Sequence, residues 1–314
     1  MDHFVKSGHK FTVFTPTYNR GYVLRRAFES LQRQTFKDFE WVVVDDGSTD
    51  NTRVLVADLA QKALFPVRYF YQTHGHKKKA INYGVREARG ELFVFLDSDD
   101  ELLSNALERL DFFWKRIPKE KRLHFCGIFG LCQYVNGALV GTHFPQDYME
   151  SSLSDMFFRY RVQGDKTTVF RVDVLREYPF PEDISGLVPE GTIWYKIARQ
   201  YFSLFVNEIF LKVHISEDSI TPKERFGAFA KSRAEGRALC AKELLSYEVN
   251  LYFFYSPKQF CIEAIMYVRS LLHIKPKKSL EIGSLFGSFL VFAFYPIGFF
   301  MACLDKMFAL KRDN

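Results

Sequence analysis

Between residues 11 and 96, short apolar runs and longer helical stretches alternate without a break, and this pattern restricts the fold more than any other feature of the chain. Phe11–Thr15, Glu40–Val44, Val67–Tyr71 and Leu92–Leu96 are rich in β-branched and aromatic residues and predict strands. Tyr22–Arg33, Asn51–Lys62 and Lys78–Arg89 lie between them and are long enough for helices. Such strand–helix–strand units build a mostly parallel α/β sheet with helices on both faces, which suits strands that are apolar almost throughout. Polar residues gather where three of the strands end: Pro16-Thr17-Tyr18-Asn19-Arg20, Asp45-Asp46-Gly47-Ser48 and Asp97-Ser98-Asp99-Asp100. Open α/β sheets bind ligands outside the carboxyl ends of their strands, so the three clusters are expected to share one crevice. Helix capping accounts for one Asp per helix start, not for two groups of carboxylates.

Beyond residue 116 the pattern loosens. Phe125–Val135, Leu139–Thr142 and Thr168–Val172 read as strands, and a helical segment at Glu190–Tyr201 leads into an apolar run, Leu204–Val213, a continuation of the same sheet with a region that closes over the crevice. The expected organisation is a catalytic body over residues 1–219, with halves at about 10–115 and 116–219, followed by a helical region, 220–314. The boundary near Thr221-Pro222 coincides with a change of charge. Residues 1–219 hold 29 basic and 29 acidic side chains, residues 220–314 hold 14 and 8, so the net +6 lies entirely in the last third. A neutral front with a basic back does not suit a nucleic-acid binder built on one electrostatic footprint; it suits a catalytic body with a tail drawn to an anionic surface.

Arg225–Tyr247 and Gln259–Leu272 predict helices, and Gly283–Leu304 runs without a charge, long enough to nominate a membrane helix. The chain holds 34 Phe, a load of aromatic surface that needs a core, a partner or a lipid boundary. Pro296 interrupts the run, and Lys275, Lys277, Lys278, Lys306, Lys311 and Arg312 flank both ends. Both flanks favour one side of a membrane, so a kinked, membrane-dipping or interfacial helix fits better than a span. A buried core or dimer helix is the alternative, and Gly283-x-x-x-Gly287 matches a weak helix-contact pattern. Five Cys without a C-x-x-C pair (Cys126, Cys132, Cys240, Cys261, Cys303) read as core thiols in a reducing compartment, and no secretory signal precedes the first strand. The chain is therefore expected on the cytoplasmic face of a membrane.

The acidic clusters carry the chemistry. Asp97 and Asp99 follow a buried strand at positions i and i+2, where a turn brings both to one hard cation such as Mg²⁺ or Mn²⁺, whose shell substrate phosphates complete. Asp45 and Asp46 can accept from a base N–H or ribose hydroxyls, with Gly47 allowing the tight turn. Tyr18 offers a ring to a base, and Arg20 and Lys77, with Lys78 and Lys79, offer charge to phosphate; a Lys triplet is equally a solvated face. The chain has no dinucleotide or P-loop glycine motif.

The order Thr15-Pro-Thr-Tyr-Asn-Arg20, Val44-Asp-Asp-Gly-Ser-Thr-Asp50, Ala80-Ile-Asn-Tyr-Gly84, Ala88-Arg-Gly-Glu91 and Phe95-Leu-Asp-Ser-Asp-Asp100 resembles the inverting glycosyltransferases of family two, closely over about residues 10–115 and loosely to 213. The resemblance implies a GT-A fold and a nucleoside-diphosphate sugar donor, most often a UDP-sugar. It implies Pro16, Tyr18 and Asp46 around the uridine, Lys77 near the diphosphate, and Asp97, Asp99 and Asp100 around the metal. The family's general base comes from a Glu-Asp pair at a helix start; the matching stretch is Leu187-Val-Pro-Glu190-Gly191, so Glu190 takes that role although Gly191 stands where Asp is usual. Trp194 is a candidate sugar platform or core residue, and Asp165 a second-choice acceptor contact. Processive relatives carry Gln-x-x-Arg-Trp, and this chain has no Arg-Trp dipeptide, which implies one sugar per encounter. The expectation is a metal-dependent transferase acting on a saccharide or lipid-linked acceptor. A nucleotidyltransferase and a non-catalytic sugar-nucleotide-binding membrane protein are the alternatives.

Overall fold

The structure, a computed structural model, describes residues 8–215, 231–274 and 281–310, except the side chains of 231, 232 and 308–310. The expected boundary at Thr221-Pro222, the start of the Arg225–Tyr247 helix, and Lys275, Lys277, Lys278, Lys311 and Arg312 lie outside the described residues.

Two compact units are distinguished. The first holds the described residues of Met1–Met156, Val162–Phe180 and Ile197–Glu217; the second holds those of Phe157–Arg161, Pro181–Lys196 and Asp218–Asn314. In the first unit the chain runs β1 (His9–Thr17), α1 (Gly21–Gln32), β2 (Phe39–Asp45), α2 (Thr52–Lys62), β3 (Val67–Tyr71), α3 (His76–Glu87) and β4 (Gly90–Phe95). It continues with β5 (Glu101–Leu102), α4 (Ala106–Arg116), β6 (Phe125–Tyr134), β7 (Tyr148–Ser151), β8 (Lys166–Arg171) and α5 (Val172–Glu177). Helix α6 (Gly191–Ala198) precedes β9 (Phe202–Val213).

These strands form one sheet in the order β3-β2-β1-β4-β8-β6-β9-β5, with β7 on β9. The first four strands are parallel, as the repeated crossovers require. The second half is mixed: β8 runs antiparallel to both β4 and β6, while β6 and β9 are parallel. Leu139–Thr142, expected as a strand, forms only an isolated bridge from Leu139 to Gln133. Gly141 ends it with φ +74, and a Cβ there would stand 1.9 Å from the Gln163 carbonyl, so the chain turns instead of pairing.

Alternation along each strand decides the two faces. Phe11, Val13, Trp41, Val43, Leu92 and Val94 point to one side and bury against Leu24 and Leu31 of α1 and Leu107, Leu110 and Trp114 of α4. Each such side chain contributes about 1.5–3 kcal/mol on leaving water. Phe14 points to the other side, where Gly84 of α3 leaves room for it; a Cβ on Gly84 would lie 2.3 Å from the ring. The amino-terminal edge of the sheet is tied by buried Glu40, which accepts from Thr12 Oγ1 (2.7 Å), Arg89 N (2.7 Å) and Arg68 Nη1 (3.1 Å). Polar binding residues are thereby left to the opposite edge.

The second unit is helical: α7 (Lys231–Glu243), a π-helical turn at Leu244–Glu248, α8 (Val249–Tyr252), α9 (Pro257–Leu271) and α10 (Leu285–Leu310). Phe158, Tyr195, Leu244, Leu245, Phe260, Tyr267 and Leu290 form its core. Among the described residues α10 is the one helix long and apolar enough to cross a membrane, and Pro296 lies inside it without ending it. The five Cys form no disulfide; Cys126, Cys132 and Cys240 are buried as expected of core thiols, while Cys261 and Cys303 are only partly buried.

Candidate active site

Strands β2, β1 and β4 are parallel neighbours, so their carboxyl ends open on one edge of the sheet. Pro16 pairs with Val44 and Thr17 with Asp45, which brings the Tyr18–Arg20 turn beside Asp46, and Leu96 N donates to Phe14 O before the chain enters Asp97.

Two segments join the clusters. Asn19 and Arg20 form the first. Asn19 takes φ 52, its N–H donates to Ser48 Oγ at 2.8 Å, and its side chain accepts from Thr49 N at 2.7 Å. One residue on, Arg20 Nη1 donates to Asp99 Oδ2 at 2.6 Å. Residues 72–77 form the second. Asp46, 4% exposed, accepts at Oδ1 from Gln72 Nε2 (2.6 Å) and Gly75 N (2.8 Å), while His74 Nδ1 stands 2.9 Å from Oδ2. Lys77, two residues beyond Gly75, places Nζ 2.9 Å from Asp97 Oδ1. A six-residue stretch thus touches both Asp46 and Asp97, and Arg20 links the first cluster to the third.

Side chains divide by what they already hold. Asp45 is buried and accepts from Ser48 N at 2.8 Å and Tyr69 Oη at 2.7 Å, so its carboxylate shapes the turn that presents Asp46. Burial and the Asp45 charge push the Tyr69 phenol well above its ordinary value, keeping it a donor. Gly47 completes the turn with φ +90, and a Cβ would meet His74 N at 2.9 Å. Tyr18 is half-exposed, with its ring 4.3 Å from that of His74 and tilted by 30°. His76, with φ 68, meets His74 edge-on at 4.8 Å; burial, then the neighbouring His74, lowers its pKa. Lys78 is 3% exposed and therefore not part of a solvated face. Asp100 is buried and accepts from His214 N at 3.1 Å; burial, then the Asp97 charge, raises its carboxyl to about 7.

Asp97 is half-exposed and salt-bridged to Lys77; Asp99 is largely buried and salt-bridged to Arg20. Among the described residues no group of three or more His, Cys, Asp or Glu gathers in a metal-binding arrangement. Two carboxylates on one turn do suit Mg²⁺ or Mn²⁺ with a phosphate-bearing ligand, since such ions take one or two carboxylates and fill their shell from phosphates and water.

In the second unit, Glu190 lies at the amino-terminal edge of α6, where its carbonyl accepts from Ile193 N (2.9 Å) and Trp194 N (3.1 Å). Gly191 has a packing reason: a Cβ there would stand 3.1 Å from the Tyr195 ring, which is buried against Phe158. Helix α7 fastens the segment before Glu190, since Gly236 lets the Leu187 carbonyl approach and Glu235 accepts from Ser185 Oγ at 2.6 Å. Trp194 is buried. Asp165 sits exposed in the first unit's Gly164–Lys166 turn, where Lys166 Nζ donates to the Gln163 carbonyl at 2.6 Å.

Gln72, His74 and Gly75 were not foreseen from the sequence. Their signal was the polar run Gln72-Thr-His-Gly-His76 directly after β3, the fourth carboxyl end of the same sheet edge.

The sequence model described as Glycosyl transferase family 2 matches residues 12–176. A GalNAc(5)-diNAcBac-PP-undecaprenol beta-1,3-glucosyltransferase of Campylobacter jejuni is 32% identical over 220 residues, covering 68% of this chain and 67% of that protein. An uncharacterised glycosyltransferase of Rickettsia typhi is 24% identical over 67% of this chain and 65% of its own length. Among solved structures, TarS of S. aureus in complex with UDP-GlcNAc superposes with a TM-score of 0.64 at 21% identity, covering 96% of this chain and 89% of that one. A mannosyltransferase of Pyrobaculum calidifontis in complex with GDP-Man and Mn2+ superposes with a TM-score of 0.52 at 18% identity, covering 96% and 86%. The mixed sheet, its acidic carboxyl edge and a profile match across that whole edge agree: this chain is a glycosyltransferase of GT-A fold and belongs to glycosyl transferase family 2.

Proposed function

We propose that the protein is a metal-dependent, inverting glycosyltransferase that moves one sugar from a nucleoside-diphosphate sugar, a UDP-sugar by preference, to a saccharide or lipid-linked saccharide at the cytoplasmic face of a membrane. The observation that carries the donor assignment is the 72–77 segment, which engages Asp46 at one end and Asp97 at the other. A donor crevice needs that continuity: base and ribose at Tyr18, Pro16 and Asp46, diphosphate between Lys77, Arg20 and the Asp97–Asp100 turn. The crystallised TarS holds a UDP-sugar and the Pyrobaculum enzyme a nucleotide sugar with Mn2+, which supports the donor class and the ion. The Campylobacter relative acts on an undecaprenol-linked glycan, which supports the acceptor class.

Mn²⁺ or Mg²⁺ held by Asp97 and Asp99, with Asp100 beside them, would supply charge to stabilise the departing diphosphate. The protein's own residues do the rest. Lys77 and Arg20 exchange their carboxylate partners for phosphate oxygens, and the Asp45 turn holds Asp46 toward the base. Glu190 accepts the proton of the attacking acceptor hydroxyl as the anomeric carbon–oxygen bond to the diphosphate breaks, so displacement occurs once and inverts the configuration. The assignment of Glu190 rests on its place in the family motif.

The test is release of UDP from a panel of UDP-sugars, with and without manganese, in the presence of membrane-extracted acceptors. UDP release that depends on manganese and is lost in Asp99→Asn is the expected result. Release of pyrophosphate in its place would identify a nucleotidyltransferase and refute the proposal.

A further inference from the structure

Helix α10 has two opposed faces, and among the described residues only one is covered. At 100° per residue, Gly287, Leu290, Gly298, Ala302 and Asp305 share one side. Gly287 and Gly298 permit backbone approach: a Cβ would lie 2.0 Å from the Leu245 carbonyl in the first case and 2.8 Å from the Ile265 carbonyl in the second. Leu290 enters the helical core, and Asp305, 3% exposed, makes a bidentate salt bridge to Arg269 of α9 at 2.7 Å on both oxygens and accepts from His273 at 3.0 Å. The opposite side is a different surface. Leu285 is 93% exposed, Phe292 81%, Phe300 63% and Phe289 60%, and no charged residue occurs between positions 283 and 304. Phe254, 91% exposed, follows Phe253, whose ring meets that of Phe286 on α10.

A helix fastened in this way along its length cannot cross a bilayer alone. Its partner α9 has 15 residues, so about 22 Å of helix would face a hydrocarbon core of about 30 Å. Crossing would also carry the buried Arg269–Asp305 pair and Glu263, paired with Arg237, into lipid. Lying flat costs neither, because the covered face stays on protein and only the Phe-rich face enters the acyl boundary.

We propose that α10 is an in-plane, monotopic membrane helix, docking through Leu285, Phe289, Phe292 and Phe300 with Phe254 beside them onto the headgroup–acyl boundary of an anionic bilayer. Anionic lipid is the complementary occupant because residues 220–314 carry the chain's whole net positive charge, with Lys258 and Lys306 exposed in the described part. The proposal rests on and refines the membrane-held acceptor reading: the helix would hold the protein beside lipid-linked substrate without itself crossing the bilayer.

The experiment uses the full chain with an epitope at its carboxyl terminus, mixed with preformed phosphatidylcholine vesicles with and without phosphatidylglycerol. The wild type should float with the anionic vesicles. Phe292→Glu with Phe300→Glu should lower the bound fraction by about tenfold or more at an unchanged melting temperature. Phe292→Gln with Phe300→Gln keeps the test valid if the charged pair disturbs folding. The epitope should remain open to protease added outside. No flotation, flotation that the variants leave intact, a protected epitope that marks a span, or a dimer that forms in place of vesicle binding each overturns the proposal. Loss of UDP-sugar turnover with flotation retained counts against the catalytic reading alone.

Discussion

Arg20 Nη1 lies 2.6 Å from Asp99 Oδ2, so the cation at the end of β1 is stored on the second carboxylate of the turn after β4. The pair is largely buried, which makes it a stronger constraint than a surface bridge. Asp99→Asn keeps an acceptor for Arg20 but removes the negative charge. Turnover of UDP-sugar with manganese is expected to fall by about a hundredfold or more while the melting temperature changes little. Near-normal turnover would remove Asp99 from the metal site.

His74 joins two candidate donor contacts, through its ring on Tyr18 and its Nδ1 near Asp46. In His74→Ala the hydrogen bonds from Gln72 and Gly75 to Asp46 remain, so the carboxylate is loosened but not abandoned. Donor KM should rise by roughly 10-fold, the size of one hydrogen bond to a charged group, with kcat changed far less. A fall in kcat at unchanged KM would assign His74 to the chemistry instead.

Glu190→Gln is expected to abolish glycosyl transfer and to leave UDP binding by calorimetry intact. Gly236→Ala tests the same residue indirectly, because its Cβ would press on the Leu187 carbonyl and shift the segment that ends in Glu190. Single-turnover kinetics should show slower transfer with donor affinity unaltered. If donor affinity falls in parallel, Glu190 acts in binding.

Asp50 ties two helix starts, accepting from Gly21 N at 3.1 Å, Thr52 N at 3.1 Å and the Thr52 hydroxyl. Burial acts against its charge, but these hydrogen bonds from Thr52 and Gly21 outweigh it and hold the carboxyl below its ordinary 3.8. A depressed folded-state value contributes stability that is complete above pH 3.8 and disappears as pH falls through the lower folded value. The melting difference between wild type and Asp50→Ala should therefore be constant near neutrality and narrow in this acid range. A difference that widens on acidification would contradict the hydrogen-bond account.

Asp305→Ala leaves Arg269 buried without its anion, which costs about 3–5 kcal/mol in comparable pairs. The first transition in a thermal melt should move down by several degrees, and the double variant with Arg269→Met should recover most of the loss. No recovery would mean that Asp305 acts through His273.

Local pattern was enough for the first half of the chain. Apolar runs of strand length between helical stretches, with acids and turn residues just past each strand, are properties of neighbouring residues, so β1 to β4 and the placement of Asp46, Asp97 and Asp99 at strand ends could be read directly. So could α10, because a charge-free run needs no context to be seen. Pairings between distant segments could not be read this way. The antiparallel insertion of β8 between β4 and β6 depends on pairing with two distant segments, residues 92–94 and 127–131, and the failure of Leu139–Thr142 to form a strand depends on Gly141 meeting the 163–164 backbone. The bridge of residues 72–77 across Asp46 and Asp97 is likewise a product of strand order. Charged neighbours left Lys78 open between a phosphate contact and a solvated face; only the packed helix decides that it is buried. The two faces of α10 were also undecidable beforehand, since nearly every residue on it is apolar. Which side meets protein is settled by where two glycines and one aspartate find their partners.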